Sequence, residues 1–156
     1  MIKHDVGFIL PVLENTPVII EICRTILSLI NNNKRTEFCI FNNYSELAGL
    51  NGVPVLPISH AKYFKGDLFV FDISSLLIVQ NFPSVNDIYY YVNNLAWTAS
   101  YADYSAWKKI FSKNNVKIIA NNKYIYDVYN IAWDNGIGIS ERFEYEEIKK
   151  FLQKSK

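Results

Sequence analysis

The sequence predicts an α/β fold: a Rossmann-like three-layer α/β/α sandwich around a mainly parallel sheet of about five to seven strands. Three observations point there. Strand-like and helix-like segments alternate along the chain. The strand-like segments are continuous apolar runs rather than alternating ones, as expected when both sheet faces are covered. Turn-forming residues separate them. Right-handed crossovers then put helices on both faces. The 156 residues suit a single domain spanning 1–156, long enough to bury a sizeable core.

"VGFIL" (Val6–Leu10) is the first buried strand, and Pro11 turns the chain. "ENTP" then supplies a helix start, with Thr16 or Asn15 as cap and Pro17 at the first helical position. Val18–Ile30 is apolar around most of its circumference, which predicts a helix well covered against a sheet. "TEFCIF" (Thr36–Phe41) is a second strand. In "VPVLPI" (Val53–Ile58) two prolines predict an edge position or a loop. "SHAKYF" offers one helical turn before Gly66, and "DLFVFDI" (Asp67–Ile73) is a buried strand. Ser74 or Ser75 would cap the short helix that follows, which Pro83 stops. Ile88–Val92 is a strand, "SAWKKIFSKN" a helix capped by Ser105, and Val116–Ala120 a strand. The helix "KYIYDVYNIAW" carries Ile125, Val128, Tyr129 and Ala132 along one stripe. "NGIGIS" adds a short final strand and "EYEEIKKFLQK" an amphipathic helix.

Composition excludes several classes. With 16 basic and 15 acidic residues the net charge is +1, which lacks the basic footprint of a general nucleic-acid binder. No apolar run approaches the roughly 20 residues of a membrane span. "MIKHDVGFIL" lacks a signal-peptide layout, so we expect a cytoplasmic protein without a membrane partner. Cys23 and Cys39 lie among apolar neighbours, and two buried free thiols are expected rather than a disulfide. His4 and His60 form no metal-ligand spacing with them, so neither a metal nor a cofactor is expected.

In a doubly wound sheet, ligands bind outside the carboxyl ends of the strands. The candidates at those ends are Glu14, Asn43, Asp72, Asn94, Trp97 and Asn121, with Asn42, Asn93 and Asn122 beside them. Asparagine offers both donor and acceptor, which suits sugar hydroxyls and nucleobase edges, but it is equally a turn former and helix cap. Trp97 follows a strand and could stack on a ring, whereas Trp107 and Trp133 sit in helices with apolar company and belong to the core. In "YYY", Tyr89 and Tyr91 must face one side of the sheet and Tyr90 the other. We expect a cleft at this edge and no comparable polar convergence at the opposite one.

Most enzyme signatures are missing. The first strand–helix turn has no G-x-G-x-x-G, and there is no Walker A sequence or G-x-S-x-G elbow. Asp67, Asp72 and Asp87 lack the clustering that a magnesium-dependent phosphatase or receiver domain needs.

One resemblance extends over about residues 66–152. "VKIIANNKYIYDVYNIAW" followed by "NGIGISERFEYEEIKKFL" resembles the N-terminal, acceptor-side domain of glycosyltransferases of the two-domain B fold. Ala120, Asn121 and Asn122 match that family's strand end, and Gly136 to Phe143 match the segment leading out of the domain, without its usual Asn-Gly-Val-Asp order. The resemblance implies a Rossmann-like domain that binds a carbohydrate, a nucleotide (or nucleotide sugar) or a protein. It would be inactive alone, because the family's donor site lies in a second domain that this sequence does not contain. No catalytic residue carries over. Two other functions stay open: an interaction protein, such as a homodimer joined through surface tyrosines, and a single-domain transferase or hydrolase using Asp72.

Overall fold

Each apolar run becomes a strand. The computed structural model describes residues 2–10, 17–32, 36–42, 53–95 and 104–154. Its strands are β1 (Ile2–Ile9), β2 (Phe38–Phe41), β3 (Val55–Leu56), β4 (Phe64–Val70), β5 (Val85–Val92), β6 (Val116–Ala120) and β7 (Gly136–Ile139). Its helices are α1 (Pro17–Asn32), α2 (Ile73–Val79), α3 (Tyr104–Phe111), α4 (Lys123–Trp133) and α5 (Tyr145–Lys154), with a 3₁₀ stretch at Ile58–Tyr63. The strands form one sheet in the order β3-β2-β1-β4-β5-β6-β7. Every pairing is parallel, so the sheet is fully rather than mainly parallel. Chain order reverses at β1, which lies between β2 and β4.

The structure moves several boundaries. β4 ends at Val70, three residues short of Ile73, because Asp72 accepts the Ser75 backbone N–H at 2.8 Å and the Ser75 hydroxyl at 2.6 Å. Asp72, not Ser74 or Ser75, therefore caps α2. A carboxylate accepts more strongly than a hydroxyl at this position. β5 starts at Val85 and not at Ile88. Ser105 falls inside the first turn of α3 and is not its cap. Pro17 does open α1, while Asn15 and Thr16 lie outside the described residues. β3 is two residues long, flanked by Pro54 and Pro57, and stands at the edge that prolines favour.

Two apolar cores cover the sheet. Helices α2, α3 and α4 pack on one face, where Leu76, Phe111, Ile125 and Trp133 meet Val70, Ile88, Tyr90 and Ile118. Helices α1 and α5 pack on the other, where Ile22, Ile26, Ile148 and Phe151 meet Phe8, Phe69, Tyr89 and Tyr91. Tyr90 thus faces away from Tyr89 and Tyr91, as the strand period requires. Trp107 and Trp133 are buried. In α4 the fully covered stripe is Ile125, Tyr129 and Trp133. Val128 and Ala132, expected on it, are half-buried. On the α1 and α5 face a row of rings crosses four strands: Phe38 to Phe8 at 6.2 Å, Phe8 to Phe69 at 5.3 Å, and Phe69 to Tyr89 at 4.7 Å between centroids.

The sheet also keeps the cysteines apart. Both are free; Cys39 is buried in one core, and Cys23, only half-buried, packs against the other. The thiol expected to be buried at position 23 is therefore partly accessible, because it sits towards the outer side of α1. Burial pushes the Cys39 thiol up to about 12, far above its unfolded value of about 8.5. The folded state therefore holds this proton while the unfolded chain releases it, so stability falls as pH rises from about 8.5 towards 12. Between pH 8.5 and 10, the unfolding free energy should fall with a slope approaching about 1.4 kcal/mol per pH unit from this group. Cys39→Ala should flatten that slope, and an unchanged slope in the variant would remove the thiol as its cause.

Candidate functional site

Because all strands run the same way, their carboxyl ends gather at one edge. Asp72, Asn94 and Asn121 all stand there, following β4, β5 and β6 respectively. Glu14, Asn43 and Trp97 lie outside the described residues.

The asparagines at this edge divide into two kinds. Asn42 is buried, and its amide donates to the Leu10 carbonyl, tying the end of β2 to the end of β1. Asn122 caps α4 by accepting the Ile125 N–H at 2.9 Å. These two are structural. Asn121 is held by its backbone, whose N–H donates to the Val92 carbonyl at 2.9 Å. Its side-chain oxygen accepts from the Asn122 amide at 2.8 Å, which leaves the Asn121 NH₂ pointed away from that contact. Asn93 and Asn94 are exposed.

A cleft of about 300 Å³ opens at this edge, on the face covered by α1 and α5. Asn93, Asn121, Glu21, Glu141 and Arg142 supply its polar lining. Pro17, Ile22, Tyr91 and Phe143 supply the apolar part. Among the described residues, Asn121 is the expected site residue that the lining contains. Asp72 and Asn94 share the edge but not the cleft, and both Asp72 oxygens are engaged by Ser75.

The wall formed by residues 140–144 is built from the core outward. Ser140 is fully buried, and its hydroxyl accepts the Glu144 N–H at 2.8 Å. The Tyr91 hydroxyl reaches the Ser140 carbonyl at 3.0 Å and the Glu141 carbonyl at 3.3 Å. Phe143 has a left-handed backbone (φ 55°) although its ring is fully buried. Edge-on contacts with Phe69, Phe71 and Tyr91 at 5.8, 5.0 and 5.2 Å hold that ring. A non-glycine residue in this conformation persists where its surroundings over-determine it, and such residues cluster at binding sites. The effect is to fix the turn that presents Glu141 and Arg142. Burial pushes the Tyr91 hydroxyl up to about 12; a backbone hydrogen bond from Phe143 acts in the opposite sense, and the Glu147 and Glu144 carboxylates add to the rise. Tyr91 is therefore a neutral donor at physiological pH.

Glu21, Glu141, Arg142 and Phe143 are not among the residues expected from sequence. A signal for three of them was present, because Ser140–Phe143 follow the last strand, and the same strand-end rule applied there includes them. Glu21 had no such signal: it reaches the cleft only because α1 lies beside the ends of β5 to β7.

The opposite edge corrects a further expectation. A second cleft of about 320 Å³ lies there, lined by Ser112, Lys113, Asn114, Lys117, Asp134 and Asn135. Polar side chains therefore converge at both edges. At the amino edge they bind turns together: the Asn135 amide donates to the Phe111 carbonyl at 2.7 Å, and Lys113 reaches the Gln80 carbonyl at 3.0 Å and Asn81 at 3.1 Å.

Among the described residues, no group of three His, Cys, Asp or Glu side chains is placed to hold a metal ion. None of their helices is long and apolar enough to cross a membrane. No protein-family model, curated protein or solved structure matches the chain.

Proposed function

We propose that this domain binds a hydroxyl-rich small molecule, a carbohydrate or nucleotide, in the carboxyl-edge cleft, in the manner of an acceptor-side glycosyltransferase domain, and transfers no sugar by itself. The observation that carries this reading is the fixed turn at 140–144, whose Glu141 and Arg142 line one cleft together with Glu21, Asn93 and Asn121. Carboxylate, guanidinium and amide groups lining one cleft can pair with several hydroxyls. The cleft's volume lies at the lower end for small-molecule sites, which suits one or two sugar rings.

A thermal-shift screen of mono- and oligosaccharides, nucleotides and nucleotide sugars tests this. A ligand at a hundred times its Kd stabilises by about 2.7 kcal/mol, which raises Tm by about 5–10 °C in a domain of this size. Asn121→Ala should weaken that ligand about tenfold with unchanged apo stability, because Asn122 and not Asn121 caps α4. A variant that binds as tightly as the wild type would remove the cleft from the reading. Transfer of sugar from a nucleotide donor by the purified chain would overturn the claim that it is inactive alone.

A second reading has one observation in its favour. Ile131 is 88 % exposed and Tyr124 67 % exposed, seven residues apart on the outer side of α4. Such a stripe suits a contact with another protein. Light scattering that shows a monomer at high concentration would count against a homodimer formed there.

A further inference from the structure

We infer that the Tyr91 hydroxyl is the positioning group of the carboxyl-edge cleft: it gathers the backbone of the 140–144 turn and so sets the fraction of molecules whose wall is formed for a ligand. The inference rests on the reading just given and adds what governs the site.

One hydroxyl serves three backbone groups of the turn. It lies 3.0 Å from the Ser140 carbonyl and 3.3 Å from the Glu141 carbonyl. The Phe143 backbone hydrogen-bonds to the same oxygen, in the sense of an N–H donor. A phenol can do both, because it donates its proton and accepts at its oxygen. Ser140 and Phe143 are fully buried and Tyr91 is 5 % exposed, so water has no room to take the hydroxyl's place. Tyr91 stands 49 residues from Ser140, on β5, which β6 separates from β7. The tie is therefore tertiary and independent of the β6–β7 pairing.

The ends of the turn are anchored separately. The Ser140 N–H donates to the Ala120 carbonyl at 2.8 Å, and the Ile148 N–H donates to the Glu144 carbonyl at 3.0 Å. Between them Phe143 holds a left-handed backbone, which a residue with a side chain disfavours. A turn with this cost stays formed as long as its ties hold. Glu141 and Arg142 are exposed, line the cleft and are carried by that backbone. Without the hydroxyl, the Ser140 carbonyl and the Phe143 N–H lose this partner on either side of them. Opening of the turn returns both groups to water, so the loss should appear as local opening and not as global unfolding.

The test is amide hydrogen exchange of the full chain carrying Tyr91→Phe, which keeps the ring and its 5.2 Å edge-on contact with Phe143. Tyr90→Phe is the control, because it removes a buried hydroxyl from the opposite face of the same strand. Amides of residues 141–144 should exchange about tenfold faster in Tyr91→Phe, and those of β1 and β4 no more than about threefold faster. Tyr90→Phe should leave exchange in the turn no faster than in β1 and β4. Maltose and uridine monophosphate, a carbohydrate and a nucleotide, are then titrated by NMR into the wild type and Tyr91→Phe. A probe that binds the wild type should slow exchange at 141–144 and bind Tyr91→Phe about fivefold more weakly, as the competent fraction falls. Unchanged exchange in the turn, or an equal rise in the turn and in β1 and β4, would overturn the positioning role and leave the cleft standing as a ligand site. Weaker binding without faster exchange would overturn it as well, since the hydroxyl would then be a direct ligand contact. Faster exchange with neither probe bound by the wild type would count against the cleft reading itself, and against any service of the turn to a ligand.

Discussion

Phe69→Ala is expected to cost about 3–5 kcal/mol of stability, the range for emptying a buried phenylalanine site. Phe69 lies in the central strand β4 and is fully buried. Its ring stacks on Phe8 and Tyr89 at 5.3 and 4.7 Å and meets Phe143 edge-on at 5.8 Å. Removing it interrupts the row of rings beneath α1 and α5, and the strands on either side cannot close the gap without breaking their register. A domain of this kind has a total stability of about 5–15 kcal/mol, so the variant would sit near its unfolding threshold at room temperature. The cleft should suffer as well, because Phe69 is one of three rings that hold Phe143 in its left-handed backbone. Urea midpoints with unchanged slope would report the loss, and faster amide exchange at residues 140–144 would report the loosened turn. A loss near 1 kcal/mol, that of an average point mutation, would show that the ring row is not a principal source of stability. Phe69→Leu is the control and should cost much less.

Gly7→Val should produce the second large effect. Gly7 lies in the middle of β1, the strand at which the chain order reverses, and pairs with Cys39 on one side and Leu68 on the other. A Cβ at this position would come within 2.8 Å of Leu68 Cδ1 and 3.1 Å of both the Phe41 and Phe64 rings. All three neighbours are fully buried, and Phe41 and Phe64 already meet edge-on at 5.5 Å. Overpacking of this kind costs about 1–3 kcal/mol. Valine's two further methyl groups place it at the upper end, despite its better fit to strand backbone. Gly7→Ala should cost less, since reduced freedom of the unfolded chain returns about 0.4–1 kcal/mol. Chemical denaturation of both variants gives the comparison. A Gly7→Val protein as stable as the wild type would mean that the core under β1 has room that the distances deny.

Much of the fold was legible because it depends on local chemistry. Buried parallel strands have to be apolar on both faces, so "VGFIL", "TEFCIF", "VKIIA" and their counterparts stand out without any knowledge of their neighbours. The strand period placed Tyr90 opposite Tyr89 and Tyr91, Pro54 and Pro57 marked an edge, and Pro17 marked a helix start. Asn121 could be put at the ligand-prone edge by the same reasoning, because parallel strands send all their carboxyl ends one way. The sequence by itself therefore determined the layers, the direction of the sheet and the edge at which the strands' carboxyl ends gather.

Only the tertiary structure decided which residues at that edge meet. The strand order sets β7 beside β6 and lays α1 over the same end, which brings Glu21 to Glu141 and Arg142 across some 120 residues of chain. No local pattern encodes that approach, because it results from crossovers that each extend over a whole helix. The choice among the asparagines was also tertiary or nearly so. Asn42 and Asn122 are taken up by a neighbouring strand end and a helix start, whereas Asn121 lines the cleft. Asp72 was legible by position, but the Ser75 N–H and hydroxyl claim its carboxylate. A side chain's type and position in the chain state what it can bond to; the packed fold determines which of those bonds are already made.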